Sequence, residues 1–141
     1  MTSINFWIEG APVGKARPRF RKNGMTYTPK ATTVYEQAVA ASFQLANADA
    51  HFRPEKDQAL AISVIAYYPI PESHPKYRKE RERDNVELPT KKPDIDNILK
   101  IIMDGLNGVA YDDDKQIVEV TAAKRFREVP GVYVSIKEVG G

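Results

Sequence analysis

The sequence predicts an α+β fold in which a mixed β-sheet carries two main helices, and three observations lead there. Stretches of alternating or continuous apolar character suited to strands occur near the start, the middle and the end of the chain. Two other stretches place apolar residues at helical spacing. The resulting order is strand, hairpin, helix, strand, loop, helix, strand, strand, with no internal repeat. At 141 residues the chain suits one small domain over residues 1–141, able to bury roughly two-thirds of the surface its unfolded form exposes.

Ile4, Phe6 and Ile8 alternate with Asn5, Trp7 and Glu9, which predicts a strand with one buried face, ended by GAPVG. In RFRKNGMTYT the Asn23-Gly24 pair supplies the positive φ angles of a tight hairpin turn. After Pro29, the spacing of Tyr35, Val39, Phe43 and Ala46 predicts a helix over 31–48, with Thr32 or Thr33 as N-cap. ALAISVIAYY, residues 59–68, is a continuous apolar run suited to the centre of a sheet. From Pro69 to Lys92 the chain holds four prolines and the charged run KYRKERERD without apolar periodicity. A long solvated loop is expected there, with contact to a polyanion as the competing role. Ile95, Ile98, Leu99, Ile102 and Leu106 then share one face of an amphipathic helix over 94–107, closed by Asn107-Gly108. QIVEVTAAKRF and GVYVSIKEV read as two strands paired through the turn around Val129-Pro130-Gly131.

Composition removes several chemistries. With no cysteine there are no disulfides, thiolate metal sites or cysteine nucleophiles, and the only histidines are His51 and His74. A metal here would be held by oxygen, which favours Mg²⁺, Mn²⁺ or Ca²⁺ over zinc. The start of the chain lacks the pattern of a signal peptide, and no run approaches the ~20 apolar residues of a membrane span. A cytoplasmic protein without membrane contact is the expectation. The formal net charge is only +2, yet Lys15, Arg17, Arg19, Arg21, Lys22 and Lys30 lie between Gly10 and Tyr35 with no acid among them. Such asymmetry points to a polyanionic partner.

The segment KPDIDNIL raises a different question, because two carboxylates one residue apart repel unless something positive compensates. On the expected helix, Asp96, Lys100, Asp104 and Asn107 fall opposite the apolar stripe, while Asp94 and Asp96 sit in the first turn. There the helix dipole favours negative charge, so either Asp can serve simply as an N-cap. Further on, VAYDDDKQI places Asp112, Asp113 and Asp114 before a strand, where the alternatives are a turn or part of a cation site. A short linker obliges the chain to fold back and bring this cluster near one end of the helix. Calcium sensing fails on spacing: an EF-hand loop beginning at Asp112 would put Ile117 where Gly is needed and Ala123 where the bidentate Glu belongs. A D-x-D nucleotide-sugar transferase would need a longer chain and a second substrate region.

Taken together, KPDIDNILKIIMDGLNGVAYDDDKQI resembles the signature of the RusA family of Holliday junction resolvases, small endodeoxyribonucleases often found in phages and prophages. The resemblance covers residues 91–118, with support from the basic hairpin ending in YTPK and from the order of elements. It implies a RusA-like homodimer that nicks four-way DNA symmetrically with Mg²⁺ or Mn²⁺. Position by position, the family's first two acids fall on Asp94 and Asp96, its helix lysine on Lys100 and its third acid on Asp114, two residues before Gln116. Asp113 is the adjacent acid, and three consecutive Asp leave the choice among Asp112, Asp113 and Asp114 open. The resemblance makes Asp94, Asp96 and Asp114 the holders of one or two metal ions. Lys100 would neutralise charge on the scissile phosphate or orient the water, the alternative being an i, i+4 ion pair with Asp96 or Asp104 worth about 0.3–0.5 kcal/mol. Lys15, Arg17, Arg19, Arg21 and Lys22 would grip the DNA backbone independently of sequence. Trp7, Phe20 and Tyr27 are offered either to bases or to packing. Two rival readings share these residues: a non-catalytic branched-DNA-binding module, and a nuclease acting on flaps or forks.

Overall fold

Burying Ile4, Phe6 and Ile8 on one side gives β1 (Ser3–Glu9), the first strand of the computed structural model, which describes residues 2–140. A hairpin forms from two short, exposed strands, β2 (Arg19–Phe20) and β3 (Thr26–Tyr27), but not through the expected tight turn: residues 21–25 make the loop, only Gly24 takes a positive φ, at +83°, and Asn23 instead accepts the Met25 N–H on its Oδ1 at 3.1 Å. Helix α1 (Lys30–Ala50) turns Tyr35, Val39 and Phe43 inward as its periodicity predicts. Neither Thr32 nor Thr33 caps it. The helix starts at Lys30, one residue before the expected start, with Pro29 as N-cap, and Thr32 is buried in its first turn. Pro29 has no N–H to satisfy and a fixed φ, so it suits the helix start.

β4 (Leu60–Pro69) occupies the middle of a four-stranded sheet ordered β1-β6-β4-β5, where β5 is Ile117–Arg127 and β6 is Gly131–Glu138. β4 runs parallel to β5 and antiparallel to β6, and β1 is antiparallel to β6, so the sheet is mixed. The expected pairing of the last two strands does not occur. The connection after Arg127 crosses the end of β4 instead, and the apolar central strand thereby gains a partner on each side. β5 is left as an edge.

The expected loop between Pro69 and Lys92 contains a helix, α2 (Lys76–Arg83). Its Lys, Arg and Glu side chains are good helix formers, and polar contacts rather than an apolar stripe anchor it. Fully buried Glu82 meets His74 Nδ1 at 2.9 Å, Arg78 forks onto Glu87, and Asn85 exchanges hydrogen bonds with the backbone of Phe126. A hydrophobic pattern could not reveal such a helix.

α3 (Ile95–Leu106) buries Ile98, Ile101, Ile102, Gly105 and Leu106. The stripe is rotated from the expected one: Ile95 is exposed, and Ile101 takes its place in the core. Gly105 lets α3 approach α1 closely, because a Cβ there would lie 3.0 Å from Val39 Cβ and 3.1 Å from the Glu36 carbonyl. With α1 and α3 on one side of the sheet, the polar face of α3 is held outward. No helix is long and apolar enough to cross a membrane among the described residues.

Candidate active site

Asp94 is the N-cap of α3 in extended conformation, yet its side chain makes no capping hydrogen bond. Asp94 lines a cavity of about 400 Å³ with Asp96 and Lys100 from the first turns of α3 and with the strap Lys15–Pro18. The strap is seated by backbone chemistry. Lys15 N–H donates to the Asn97 carbonyl at 2.9 Å, and Gly14 passes so close that a Cβ would lie 2.8 Å from Pro93 Cβ. Asp94, Asp96 and Lys100, which the resemblance makes catalytic, and Arg17, which it makes a DNA contact, therefore line one cavity. Among the described residues Lys100 forms no salt bridge with Asp96 or Asp104.

The second acid group sits at the other end of α3. Asn107 and Tyr111 bridge, and the Asp114 N–H donates to Asn107 Oδ1 at 3.0 Å, closing the fold-back. Buried Gln116 organises this turn: its Oε1 accepts from the N–H groups of Asp112 and Asp113, and its Nε2 donates to the carbonyls of Glu55 and Gln58. Asp113 Oδ1 accepts from Lys115 N–H at 2.9 Å, so the turn role weighed for these acids is real for Asp113. That N–H, and then a hydrogen bond with Asp114, holds the Asp113 carboxyl below the usual carboxylate range. Asp114 is pushed above it, chiefly by the same bond to Asp113, then by burial and the charges of Asp113 and Asp104. Asp112 takes no part in this pairing.

Asp104, which the sequence offered as part of a polar face and as an ion-pair partner for Lys100, belongs with this second group, its charge acting on Asp114. Its Oδ2 is 3.1 Å from Lys15 Nζ, which also binds Glu36 Oε2 at 2.7 Å. Burial opposes the Lys15 charge, but the bonds and charges of Glu36 and Asp104 outweigh it and raise its pKa. Lys15 is therefore paired with two carboxylates of its own chain. Arg17, Arg19, Arg21 and Lys22 are exposed as expected, with the Arg21 guanidinium 4.7 Å from the Tyr27 ring. Phe20 is exposed, whereas Trp7 packs against Tyr67 and Arg127.

The donor set is chemically suited to a hard cation: anionic oxygens, one carboxylate without a helix-capping bond, and two adjacent acids, Asp113 and Asp114, that feel each other's charge. Within one chain, however, the two groups lie apart. Ten residues of helix separate Asp94 from Asp104, a rise of about 15 Å, and among the described residues no three His, Asp or Glu side chains gather to hold a metal.

Comparison with known proteins identifies the family. The family model described as "Endodeoxyribonuclease RusA" matches residues 9–137. The chain is also 36% identical over 146 residues to the uncharacterized protein YqaN of Bacillus subtilis (strain 168), with 99% of each chain covered.

Proposed function

The chain belongs to the RusA endodeoxyribonuclease family, and from that premise we propose that it is a divalent-metal-dependent nuclease that resolves four-way DNA junctions by paired nicks, as a homodimer. The observation that carries this reading is the cavity in which Asp94, Asp96, Lys100 and Arg17 converge. A pure DNA binder gains nothing from two carboxylates facing phosphates, which they repel. Mg²⁺ or Mn²⁺, held by Asp94 and Asp96 with Asp114, would polarise the scissile phosphate and lower the pKa of its attacking water.

The chain's own residues do the rest. Lys100, free of ion pairs, balances negative charge on the phosphate. Arg17 sits on the strap above the same cavity and can clamp a non-bridging oxygen, while Arg19, Arg21 and Lys22 extend the cationic surface along the hairpin.

Separation of the two acid groups along α3 favours a second copy. A twofold axis that sets α3 antiparallel to its mate would bring the Asp94–Asp96 end of one protomer to the Asp113–Asp114 end of the other, twice. Apolar surface suited to such contact remains on exposed Ile95, Val118 and Val120, and the outer edge of β5 is unpaired.

The test is cleavage of a labelled four-way junction beside a fork, a flap and a linear duplex, each with Mg²⁺, Mn²⁺ or chelator. Two symmetric, metal-dependent nicks in the junction are expected. Preferred cutting of flaps or forks would reassign the substrate, and tight binding without cutting under all conditions would return the protein to a binding module.

A further inference from the structure

The segment Lys91–Pro93 that launches the Asp94–Asp96 pair is gripped from below by the sheet. The hydroxyl of Tyr68, a buried residue on β4, donates to the Pro93 carbonyl at 2.5 Å. Lys124 on β5 donates from Nζ to the Lys91 carbonyl at 2.7 Å, with the same ammonium 5.1 Å from the Tyr68 ring. From above, the strap closes on Pro93 at Gly14. Three elements distant in sequence thus fix the backbone immediately before Asp94. The result is an unusual helix start. An Asp at an N-cap ordinarily turns its carboxylate back onto the first-turn N–H groups; here the side chain makes no such bond, and Asp94 lines the cavity.

We infer that Tyr68 and Lys124 are positioning residues that hold Asp94 away from its own helix cap and present its carboxylate to the metal. This inference rests on the metal-site reading above. It has the logic of outer-shell support in metal sites, where residues that bind no metal orient those that do, and where their loss costs about 10–100-fold in affinity or activity. Burial, and secondarily the charge of Asp94, pushes the Tyr68 hydroxyl up to about 12, so it remains a donor at any working pH. Lys124 adds a second grip through a charge-assisted bond. Without either, the segment relaxes and Asp94 can fall back onto its helix, which would satisfy the helix at the expense of the site.

The experiment measures Mn²⁺ binding to the full-length dimer without DNA, by loss of the free-ion paramagnetic resonance signal, together with thermal melting of the metal-free protein. Tyr68→Phe is expected to weaken Mn²⁺ binding about tenfold or more with little change in melting temperature. The metal concentration for half-maximal nicking should rise in step, with the rate at saturating metal largely retained. Lys124→Met, at a partly exposed position, should act in the same direction and serves should Tyr68→Phe fold poorly, whereas Lys124→Arg should restore binding. Tyr68→Phe added to Asp94→Asn should cause no further loss. Affinity within twofold of wild type in both Tyr68→Phe and Lys124→Met, or a loss of melting temperature with unchanged affinity, overturns the inference while leaving the metal site standing. Unchanged Mn²⁺ binding in Asp94→Asn itself overturns both.

Discussion

Asp94 forgoes a capping bond that would be worth about 1 kcal/mol to its helix, and a residue placed against local stability in this way is expected at a functional site. Asp94→Asn, Asp96→Asn and Asp114→Asn keep size and hydrogen-bonding capacity while removing the charge a hard cation needs. Each should reduce nicking of a four-way junction by at least about a hundredfold, taking catalysis by metal as the larger part of the rate. Folding should move by less than about 0.5 kcal/mol, since all three are exposed, and junction binding without metal should persist or tighten. Asp112→Asn is the control: among the described residues its carboxylate joins neither the Asp113 turn bond nor the helix start at Asp94, so cleavage should be retained. Near-normal cleavage by Asp94→Asn and Asp96→Asn would return that pair to a helix start with no further role. At this scale the sequence was informative, because D-x-D before an amphipathic helix is a local pattern. Asp104, Tyr68 and Lys124 escaped because their roles depend on which distant backbone or side chain they meet, and no spacing records that.

Among the elements, the strap and the hairpin divide the work that the sequence had assigned to one basic arm. Lys15 is a tether: its ammonium joins α1 through Glu36 to α3 through Asp104, and its backbone joins the strap to Asn97. Lys15→Met should lower stability by up to about 1 kcal/mol, the range for partly exposed pairs. The sign of its pH dependence follows from the raised folded pKa. The ion-pair contribution is complete below the unfolded value of 10.5 and fades as pH rises through the folded one, so wild type and variant should converge in chemical denaturation only above that range. Arg17→Ala with Arg19→Ala touches no such tether. It should weaken junction binding and reduce the slope of log affinity against log salt by about one for each phosphate no longer gripped; an unchanged slope in a gel-shift titration would place the DNA elsewhere. Charge distribution made the arm visible in the sequence, but not the difference between a cation that is free and one already paired. α2 was hidden for a related reason, since its anchors are the Glu82–His74 contact and the Asn85 bonds to Phe126 rather than an apolar stripe.

For the whole molecule, composition and periodicity foretold the mixed sheet, the two main helices and the central place of β4. They did not foretell that β4 separates β5 from β6, because strand order depends on which neighbours bury the central strand best rather than on the length of a turn. Nor did they show that the fold-back delivers Asp114 to the far end of α3 from Asp94 and Asp96. That distance is what makes the oligomeric state a question about chemistry. Light scattering at micromolar concentration should give twice the chain mass, and a monomer that stays a monomer with a junction present would remove the basis for paired nicks. Subunit mixing is the stricter test. If each site takes Asp96 from one protomer and Asp114 from its mate, then a heterodimer of Asp96→Asn and Asp114→Asn chains concentrates both lesions in one site and leaves the other intact. Two inactive proteins, unfolded and refolded together in equal amounts, should then recover about a quarter of the wild-type sites, since half of the dimers are mixed and each has one good site of two. The product should shift from paired cuts to single nicks in the junction, readable on a denaturing gel. Were each site built within one chain, every site in the mixture would carry one lesion and no activity would return, so the outcome decides whether the separation of the acids along α3 is bridged by a partner.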